Sequence, residues 1–229
     1  MMIITYSDSL FPDELRKIPD CPEALYVLGN TDLLATGCKA AVIGARKADE
    51  AGGDAAYRLG YMYAEQGYTV VSGLAFGCDA AAHRGCIDAG GKTIAIVATG
   101  LDRVFPKEHK TLQESILSTG GLVISEQPPG VKASPSRLVA RNRLQAALSD
   151  FIVVAQCPAK SGTLYTVDFA LEYDKPVFAV DYGFRNEANA GNWQLLSQRV
   201  QPIHYADLCH NLAYKTHIIY EQNQRSSRL

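Results

Sequence analysis

A glycine-rich segment, VSGLAFGCDAAAH at residues 71–83, has the residue types of a turn that binds an anion. Its apolar start predicts the end of a β-strand, and the run after Asp79 predicts a helix. Ser72 adds a hydroxyl group, while Gly73 and Gly77 lack a Cβ and let backbone N–H groups approach a ligand. A helix N-terminus next to such a turn attracts negative charge. The segment predicts a phosphate-binding turn, with an ordinary strand-to-helix connection as the alternative.

Two further segments carry small residues, hydroxyl groups and cations directly after apolar runs. They are Gly44-Ala45-Arg46-Lys47 and QCPAKSGT at 156–163. In the second, Lys160 precedes Ser161-Gly162-Thr163 at the start of a predicted helix, so N–H groups and a flexible cation point the same way. Neither segment has the glycine spacing of a P-loop or a GxGxxG turn. We therefore predict a local phosphate site without an ATP or NAD cofactor.

A third candidate is RLVARNRLQAALSD at residues 137–150. At about 100° per residue, one helix face holds two arginines and two leucines, namely Arg137, Arg141, Leu144 and Leu148. We predict a helix whose apolar half packs on a sheet and whose arginine half projects past it. Cations in the first turns oppose the helix dipole, which suits a bound anion. The alternative is an arginine cluster that pairs with acidic side chains.

Asp79 and His83 lie four residues apart on the same predicted helix. This spacing suits an acid–base pair or two metal ligands, but it more often reflects a helix-start carboxylate and a buried histidine. No Ser-His-Asp spacing or paired-carboxylate pattern accompanies it. We predict no catalytic residue and no metal site, and therefore a binding protein rather than an enzyme.

A sheet must position these segments. Near-continuous apolar runs alternate with amphipathic stretches, which is typical of strands covered on both faces. The runs are Ala40–Ile43, Thr69–Val71, Thr93–Ala98, Leu122–Ile124, Phe151–Val154 and Pro176–Val180. The alternation predicts an α/β, doubly wound, mostly parallel Rossmann-like sheet with helices on both faces. Ligands bind such sheets outside the carboxyl ends of the strands, where the candidate segments should meet.

Length and composition predict one main domain. The chain has 229 residues, 47% of them hydrophobic, and can bury one substantial core. We predict an N-terminal lead-in segment at 1–38 that packs on the core, a Rossmann-like domain at 39–214 and a polar tail at 215–229. Late in the domain, we expect helices at Asn192–Gln198 and near Ala206–Tyr214.

Charge and cysteine usage restrict the partners. The net charge is −2, so phosphate contacts must be local. The six cysteines form no CxxC pair, which argues against a zinc site and a disulfide framework. We find neither a signal-peptide pattern nor an apolar run long enough to cross a bilayer. A cytoplasmic protein without a membrane partner is expected.

In their order, these segments resemble the DNA-processing protein A family, DprA or Smf. The similar pieces cover roughly residues 11–213 and include IGARK, VSGLAFGCDAAAHRG, GGLVISEQPPG, ARNRLQAALSDFIVVAQCPAKSGTLYT and KPVFAV. The resemblance implies a protein that binds single-stranded DNA and forms a homodimer. It also implies transfer of the strand to a RecA-type recombinase during natural transformation.

The resemblance also implies which residues hold phosphates. They are Arg46, Ser72-Gly73, Arg141-Asn142-Arg143 and Lys160-Ser161-Gly162-Thr163. The predicted DNA-binding set further includes Gly44, Ala45, Ala75, Phe76, Gly77 and Arg137. Phe76 replaces a usual arginine of the family and Cys78 an isoleucine, and Ser136–Ala140 replaces a His-Phe-Pro segment. We hypothesise that Phe76 is a stacking surface. The family's helical N-terminal domain and C-terminal winged helix are expected to be largely absent.

The alternative function comes from the same fold superfamily. It is a LOG-type nucleoside-monophosphate phosphoribohydrolase or a nucleotide sensor. Those enzymes carry a Pro-Gly-Gly-x-Gly-Thr turn, for which this chain offers PAKSGT at 158–163. Two glycines are replaced and no catalytic Arg–Glu pair is apparent. A free nucleotide therefore stays open as a ligand.

Overall fold

The computed structural model describes residues 1–209. Nine strands in this part of the chain form one sheet. The strands are β1 (Met2–Thr5), β2 (Ala24–Gly29), β3 (Lys39–Ile43), β4 (Thr69–Ser72), β5 (Thr93–Ile96), β6 (Leu122–Ser125), β7 (Phe151–Val154), β8 (Val177–Asp181) and β9 (Gln201–His204). Their order is β1-β2-β6-β5-β4-β3-β7-β8-β9. The pairs from β6 to β9 are parallel, whereas β1 and β2 are antiparallel. The predicted doubly wound, mostly parallel sheet is confirmed.

Helices cover both faces of this sheet. They are α1 (Asp13–Arg16), α2 (Asp32–Ala35), α3 (Glu50–Glu65), α4 (Cys78–Asp88), α5 (Lys110–Ser118), α6 (Pro135–Ala140), α7 (Asn142–Leu148), α8 (Thr163–Glu172), α9 (Ala190–Ser197) and α10 (Tyr205–Cys209). The rest of the helix predicted near Ala206–Tyr214 and the tail predicted at 215–229 lie outside the described residues. No helix within residues 1–209 has the length and apolar character needed to cross a membrane.

Alternate side chains of the central strands feed two cores. Ala41 and Ile43 pack with α7 and α8 on one face, while Ala40 and Val42 pack with α3 and α4 on the other. Every residue of β3 to β7 is buried. Because both faces are covered, these strands read as continuous apolar runs rather than as alternating patterns.

The N-terminal segment adds two strands to the same sheet. β2 pairs with β6, with Val27 opposite Ile124, and β1 pairs with the outer side of β2. Leu15, Leu25 and Val27 are buried in the core that α7 and α8 cover. The predicted lead-in therefore packs on the core and also continues the sheet, which its short apolar pieces did not predict.

The winding of the sheet changes direction between β3 and β7. From β3 the chain passes through β4 and β5 to β6, then returns to β7 beside β3 and continues through β8 to β9. In doubly wound sheets, such a switch point opens a crevice at the carboxyl ends of the strands. The turns after β3 and β7 thus define where a ligand site is expected.

Candidate functional site

A cleft of about 530 Å³ opens at the switch point. The candidate segments supply its walls, with Gly44-Ala45-Arg46-Lys47 from the turn after β3, Ala75 from the loop after β4, Arg141-Asn142 from the α6–α7 junction and Lys160-Ser161-Gly162-Thr163 from the start of α8. Three side chains of α6 close it with an apolar wall, namely Pro135, Leu138 and Val139. The structure thus brings together segments that lie more than a hundred positions apart in the sequence.

Exposed cations surround this cleft. Arg46 and Lys47 come from one loop and Lys160 from another, and all three side chains are exposed. None of them forms an ion pair with a carboxylate within residues 1–209. Among the described residues that line the cleft, Asp79 supplies the only carboxyl group. The cleft therefore carries a net positive charge that the fold leaves open to a ligand.

The floor of the cleft contains a buried arginine. Arg141 is 4% exposed, and its Nη1 donates to the carbonyl of Gly73 at 2.6 Å and to the carbonyl of Ile96. The guanidinium thereby joins the carboxyl ends of β4 and β5. Burial lowers the pKa of Arg141 to about 10, so the group is charged at neutral pH. The prediction that this arginine projects past the sheet is wrong, because the backbone carbonyls hold it inside.

The other two predicted arginines lie away from the cleft. Arg143 pairs with both carboxylate oxygens of Glu126 at 3.0 and 2.6 Å, and its Nε donates to the Asp20 carbonyl at 2.9 Å. This ion pair corresponds to the alternative of an arginine that pairs with an acidic side chain. Arg137 is exposed on α6, where it donates to the Lys132 carbonyl at 3.2 Å. A DNA contact from either side chain stays a prediction.

The predicted helix at 137–150 is also interrupted. Arg141 separates α6 from α7, and every residue of α7 is buried. Asn142 begins α7 and donates from its amide to the carbonyl of Gly162 at 3.2 Å. This contact ties the α6–α7 junction to the loop before α8, so the two walls of the cleft are fixed relative to each other.

Glycines at the strand ends make room for protein atoms. A Cβ at Gly73 would overlap the Arg141 guanidinium, and a Cβ at Gly44 would overlap the side chain of Cys78. Gly77 has φ +72°, and a Cβ there would overlap the carbonyl of Ala45. These positions let the turns pack closely against one another. We predicted that these glycines allow a ligand to approach the backbone. In this structure, other atoms of the protein occupy the space beside them.

Ser72 and Phe76 have contrasting surroundings. Ser72 is fully buried, and its hydroxyl donates to the Val42 carbonyl at 2.7 Å. It supports the sheet rather than offering the predicted hydroxyl to a phosphate. Phe76 is 45% exposed and contacts His109 edge-on, with the ring centroids 4.7 Å apart. Its exposure is compatible with base stacking, which stays a prediction.

Asp79 lies in the first turn of α4 and lines the cleft. Its Oδ2 accepts a hydrogen bond from the Ala75 N–H at 3.3 Å. Burial raises the pKa of this carboxyl above its ordinary value, and the nearby charge of Arg141 opposes that shift.

His83 belongs to the core rather than to the cleft. It is fully buried, and its Nδ1 lies 2.7 Å from the Thr93 hydroxyl oxygen. Thr93 donates its own proton to the Val70 carbonyl, so Nδ1 of His83 must be the donor. Burial lowers the pKa of His83 to about 3. In residues 1–209 no group of three or more His, Cys, Asp or Glu side chains is placed to hold a metal ion.

Gln156 is a structural residue of the site that sequence reasoning missed. Its Nε2 donates to Asp49 Oδ1 at 2.7 Å, and its Oε1 accepts from the Asp49 N–H at 3.1 Å. Its carbonyl accepts from the Ala45 N–H at 2.7 Å. These bonds join the loops after β3 and β7 to the start of α3. A polar residue directly after an apolar run, Phe151 to Ala155, was the available signal.

A doubly wound sheet with a cationic cleft at its switch point defines a Rossmann-like α/β protein with a candidate anion site. The chain belongs to the DNA-processing protein A family, because the family model described as DNA recombination-mediator protein A matches residues 2–213. Solved structures that share only about a fifth of their sequence with the chain have the same fold, such as the molybdenum cofactor carrier protein of Chlamydomonas reinhardtii, at 21% identity and a TM-score of 0.54.

Relatives of known sequence support this membership. The DNA processing protein DprA of Streptococcus pneumoniae is 39% identical over 173 residues, which cover 76% of this chain and 60% of the relative. Protein Smf of Synechocystis is 36% identical over 180 residues, or 77% of this chain and 45% of the relative. The chain thus matches about half of the length of these two relatives.

Two solved structures of the family are also similar. DNA processing protein A from S. pneumoniae superposes with a TM-score of 0.83 at 34% identity, covering 91% of this chain and 73% of that one. DNA processing protein A from Helicobacter pylori gives a TM-score of 0.82 at 28% identity, covering 96% and 98%. The work on the H. pylori protein describes a single-stranded DNA binding mode for it.

Proposed function

We propose that the cleft binds phosphates of single-stranded DNA without sequence preference. The observation that carries this proposal is the placement of Arg46 and Lys160 on two loops of the switch point, above the buried Arg141. Charge-assisted contacts to phosphate are the strong ones among hydrogen bonds, and these exposed cations have no carboxylate partner within residues 1–209. Membership of the DNA-processing protein A family and the single-stranded DNA binding of the H. pylori relative support the same ligand.

A single strand suits this cleft better than a duplex. The cations are concentrated in one cleft of about 530 Å³, and the net charge of the chain is −2. A flexible strand can place a phosphate and its sugar inside a cleft, whereas a duplex presents its phosphates on a rigid surface that needs a broad basic face. We therefore expect weak binding of duplex DNA.

Binding without catalysis is part of the proposal. Asp79 is the only carboxyl group among the described residues that line the cleft, and it is buried. The phosphoribohydrolase alternative needs a catalytic Arg–Glu pair, and no glutamate lines the cleft within residues 1–209. This favours a binding protein over the phosphoribohydrolase alternative.

We also propose that two copies of the chain share one strand in the cytoplasm and pass it to a RecA-type recombinase during transformation. The motivation is the small number of cations in one cleft, since joining two weak sites raises the overall affinity by orders of magnitude. Sedimentation at micromolar concentration tests the pairing. A monomer that binds long strands with undiminished affinity would contradict it.

A parallel titration tests the proposed ligand. Labelled oligo(dT), duplex DNA and nucleoside monophosphates are compared by fluorescence anisotropy at several salt concentrations. We expect oligo(dT) to bind most tightly, with a log K against log salt slope of about −2, since three exposed cations each contribute about −0.7. Binding of monophosphates but not of oligo(dT) would favour the nucleotide alternative, and a slope near zero would remove the phosphate site.

A further inference from the structure

An open groove of about 710 Å³ lies beside the cleft on the other side of α6. Pro135 and Val139 line both the groove and the cleft, so one short helix separates the two. The opposite wall comes from α8, where Tyr165 and Phe169 line the groove. A strand that leaves the cleft over α6 therefore meets this groove directly.

The wall on α8 presents aromatic rings. Tyr165 is 51% exposed, and Phe169 lies one helical turn further along the same helix face. The Phe169 ring stacks on Tyr173 with centroids 6.1 Å apart and an interplanar angle of 23°. Phe169 and Tyr173 also pack against the main core, so the base of this aromatic wall is fixed. Tyr165 extends the wall into solvent at its end nearest the cleft.

The charges in the groove disfavour a phosphate. Arg143 lies at the floor, but both carboxylate oxygens of Glu126 already bind its guanidinium. Asp20, which also lines the groove, is an exposed residue. The only cation among the described residues that line the groove is thus already paired, and Asp20 adds a carboxylate, whereas the cleft is positive. An uncharged aromatic base therefore suits the groove, while its phosphate suits the cleft.

We propose that Tyr165, supported by Phe169, is a stacking platform for a base of single-stranded DNA next to the nucleotide whose phosphate occupies the cleft. This inference rests on the proposed function. Thr163 lines the cleft and Tyr165, in the same first turn of α8, lines the groove, so the two sites adjoin one helix end. Stacking on an aromatic ring is tolerant of sequence, as the proposed function requires.

The experiment compares variants of α8 with strands that have or lack bases. Anisotropy titrations use labelled oligo(dT) and an abasic strand of the same length, with the parent protein, Tyr165→Ala and Tyr165→Phe. We expect Tyr165→Ala to weaken oligo(dT) binding roughly five- to a hundredfold, and Tyr165→Phe to bind like the parent. The abasic strand should bind the parent and Tyr165→Ala equally. Leu171→Ala removes another exposed side chain of α8, at 55% exposure, and should change neither titration.

A spectroscopic variant provides a second measurement. In Tyr165→Trp, oligo(dT) should quench the fluorescence of the new indole, because a base stacks on it, whereas the abasic strand should not. Trp193 is present in both the parent and the variant, so the parent supplies the background signal.

Each contrary result has a distinct meaning. If Tyr165→Ala binds oligo(dT) like the parent, the platform is refuted and the phosphate cleft stands. An equal loss with the abasic strand also refutes it, because the tyrosine then acts without a base. A loss accompanied by a lower sedimentation coefficient would make this face a contact between copies of the chain. If the parent protein binds no oligo(dT), the proposed function and the platform both fail.

Discussion

Replacing Arg46 with alanine tests the phosphate cleft at one of its exposed cations. Arg46 follows β3 at the switch point, and its side chain lines the cleft and is exposed. Its guanidinium forms no ion pair with a carboxylate within residues 1–209. The side chain therefore contributes little to folding, and a bound phosphate is the partner that the site offers to it.

The expected loss follows from one charge-assisted contact. Hydrogen bonds to charged groups contribute about 1.5–3 kcal/mol, which corresponds to a roughly ten- to hundredfold weaker Kd for oligo(dT). Losing one phosphate contact should also make the salt slope less steep by about 0.7. Substitutions of exposed residues usually change stability by less than about 0.5 kcal/mol, so the melting temperature should hardly move.

Two control variants distinguish the loss of a cleft contact from a general loss of positive charge and from a loss of stability. Arg84→Ala removes an exposed arginine from α4 outside the cleft and should leave oligo(dT) binding close to that of the parent. Leu148→Ala truncates a side chain that is 2% exposed and should cost about 2–5 kcal/mol of stability while the folded protein still binds. Anisotropy and thermal unfolding are measured on all three variants. The reasoning is refuted if Arg46→Ala binds like the parent, or if Arg84→Ala weakens binding as much.

Two further predictions concern buried groups. Arg141→Ala should destabilise the fold by on the order of 3 kcal/mol, measured by urea unfolding. The carbonyls of Gly73 and Ile96 lose their donor, and Asp79 loses the positive charge beside it. An unfolding curve like that of the parent would show that the buried guanidinium is dispensable. His83 is neutral in the fold with a pKa of about 3, so the unfolded state binds its proton first as the pH falls below about 6.5. The free energy of unfolding should therefore decrease from pH 6.5 toward pH 3 by up to about 1.4 kcal/mol per pH unit. His83→Gln should show a flatter dependence of this free energy on pH. Superimposable curves for the parent and His83→Gln would contradict the buried neutral histidine.

The central strands could be predicted from the sequence because burial on both faces leaves a simple signal. Six apolar runs correspond to β3 to β8, whose parallel pairing follows from general rules for doubly wound sheets. The antiparallel strand β2 was missed, because its run Ala24–Gly29 follows a segment with Pro12, Pro19 and Pro22 and has the length of an ordinary packing segment. The meeting of the turns after β3 and β7 was also predictable, since the carboxyl ends of parallel strands lie at one edge.

The roles of the individual site residues were less predictable. Arginine is normally exposed, and nothing local indicates that the carbonyls of Gly73 and Ile96 accept from Arg141 across 68 and 45 positions of the chain. Glycine at position 73 is compatible with a ligand or with a neighbouring side chain, and only the folded chain decides between them. The ion pair of Arg143 with Glu126 likewise depends on how α7 packs beside the end of β6.

The cleft combines one arginine that the backbone holds in place with exposed cations that it does not. The affinity for a phosphate depends on both kinds of group. Arg141 is held by backbone carbonyls before any ligand arrives, so it contributes positive potential without further loss of side-chain freedom. Arg46 and Lys160 are exposed and must be ordered on binding, which costs about 0.5–1.5 kcal/mol for each long side chain. Part of each phosphate contact is thereby offset. A cleft of this kind gains affinity from groups that are already rigid, and the Phe169 ring of the neighbouring groove, which packs against the core, meets that requirement.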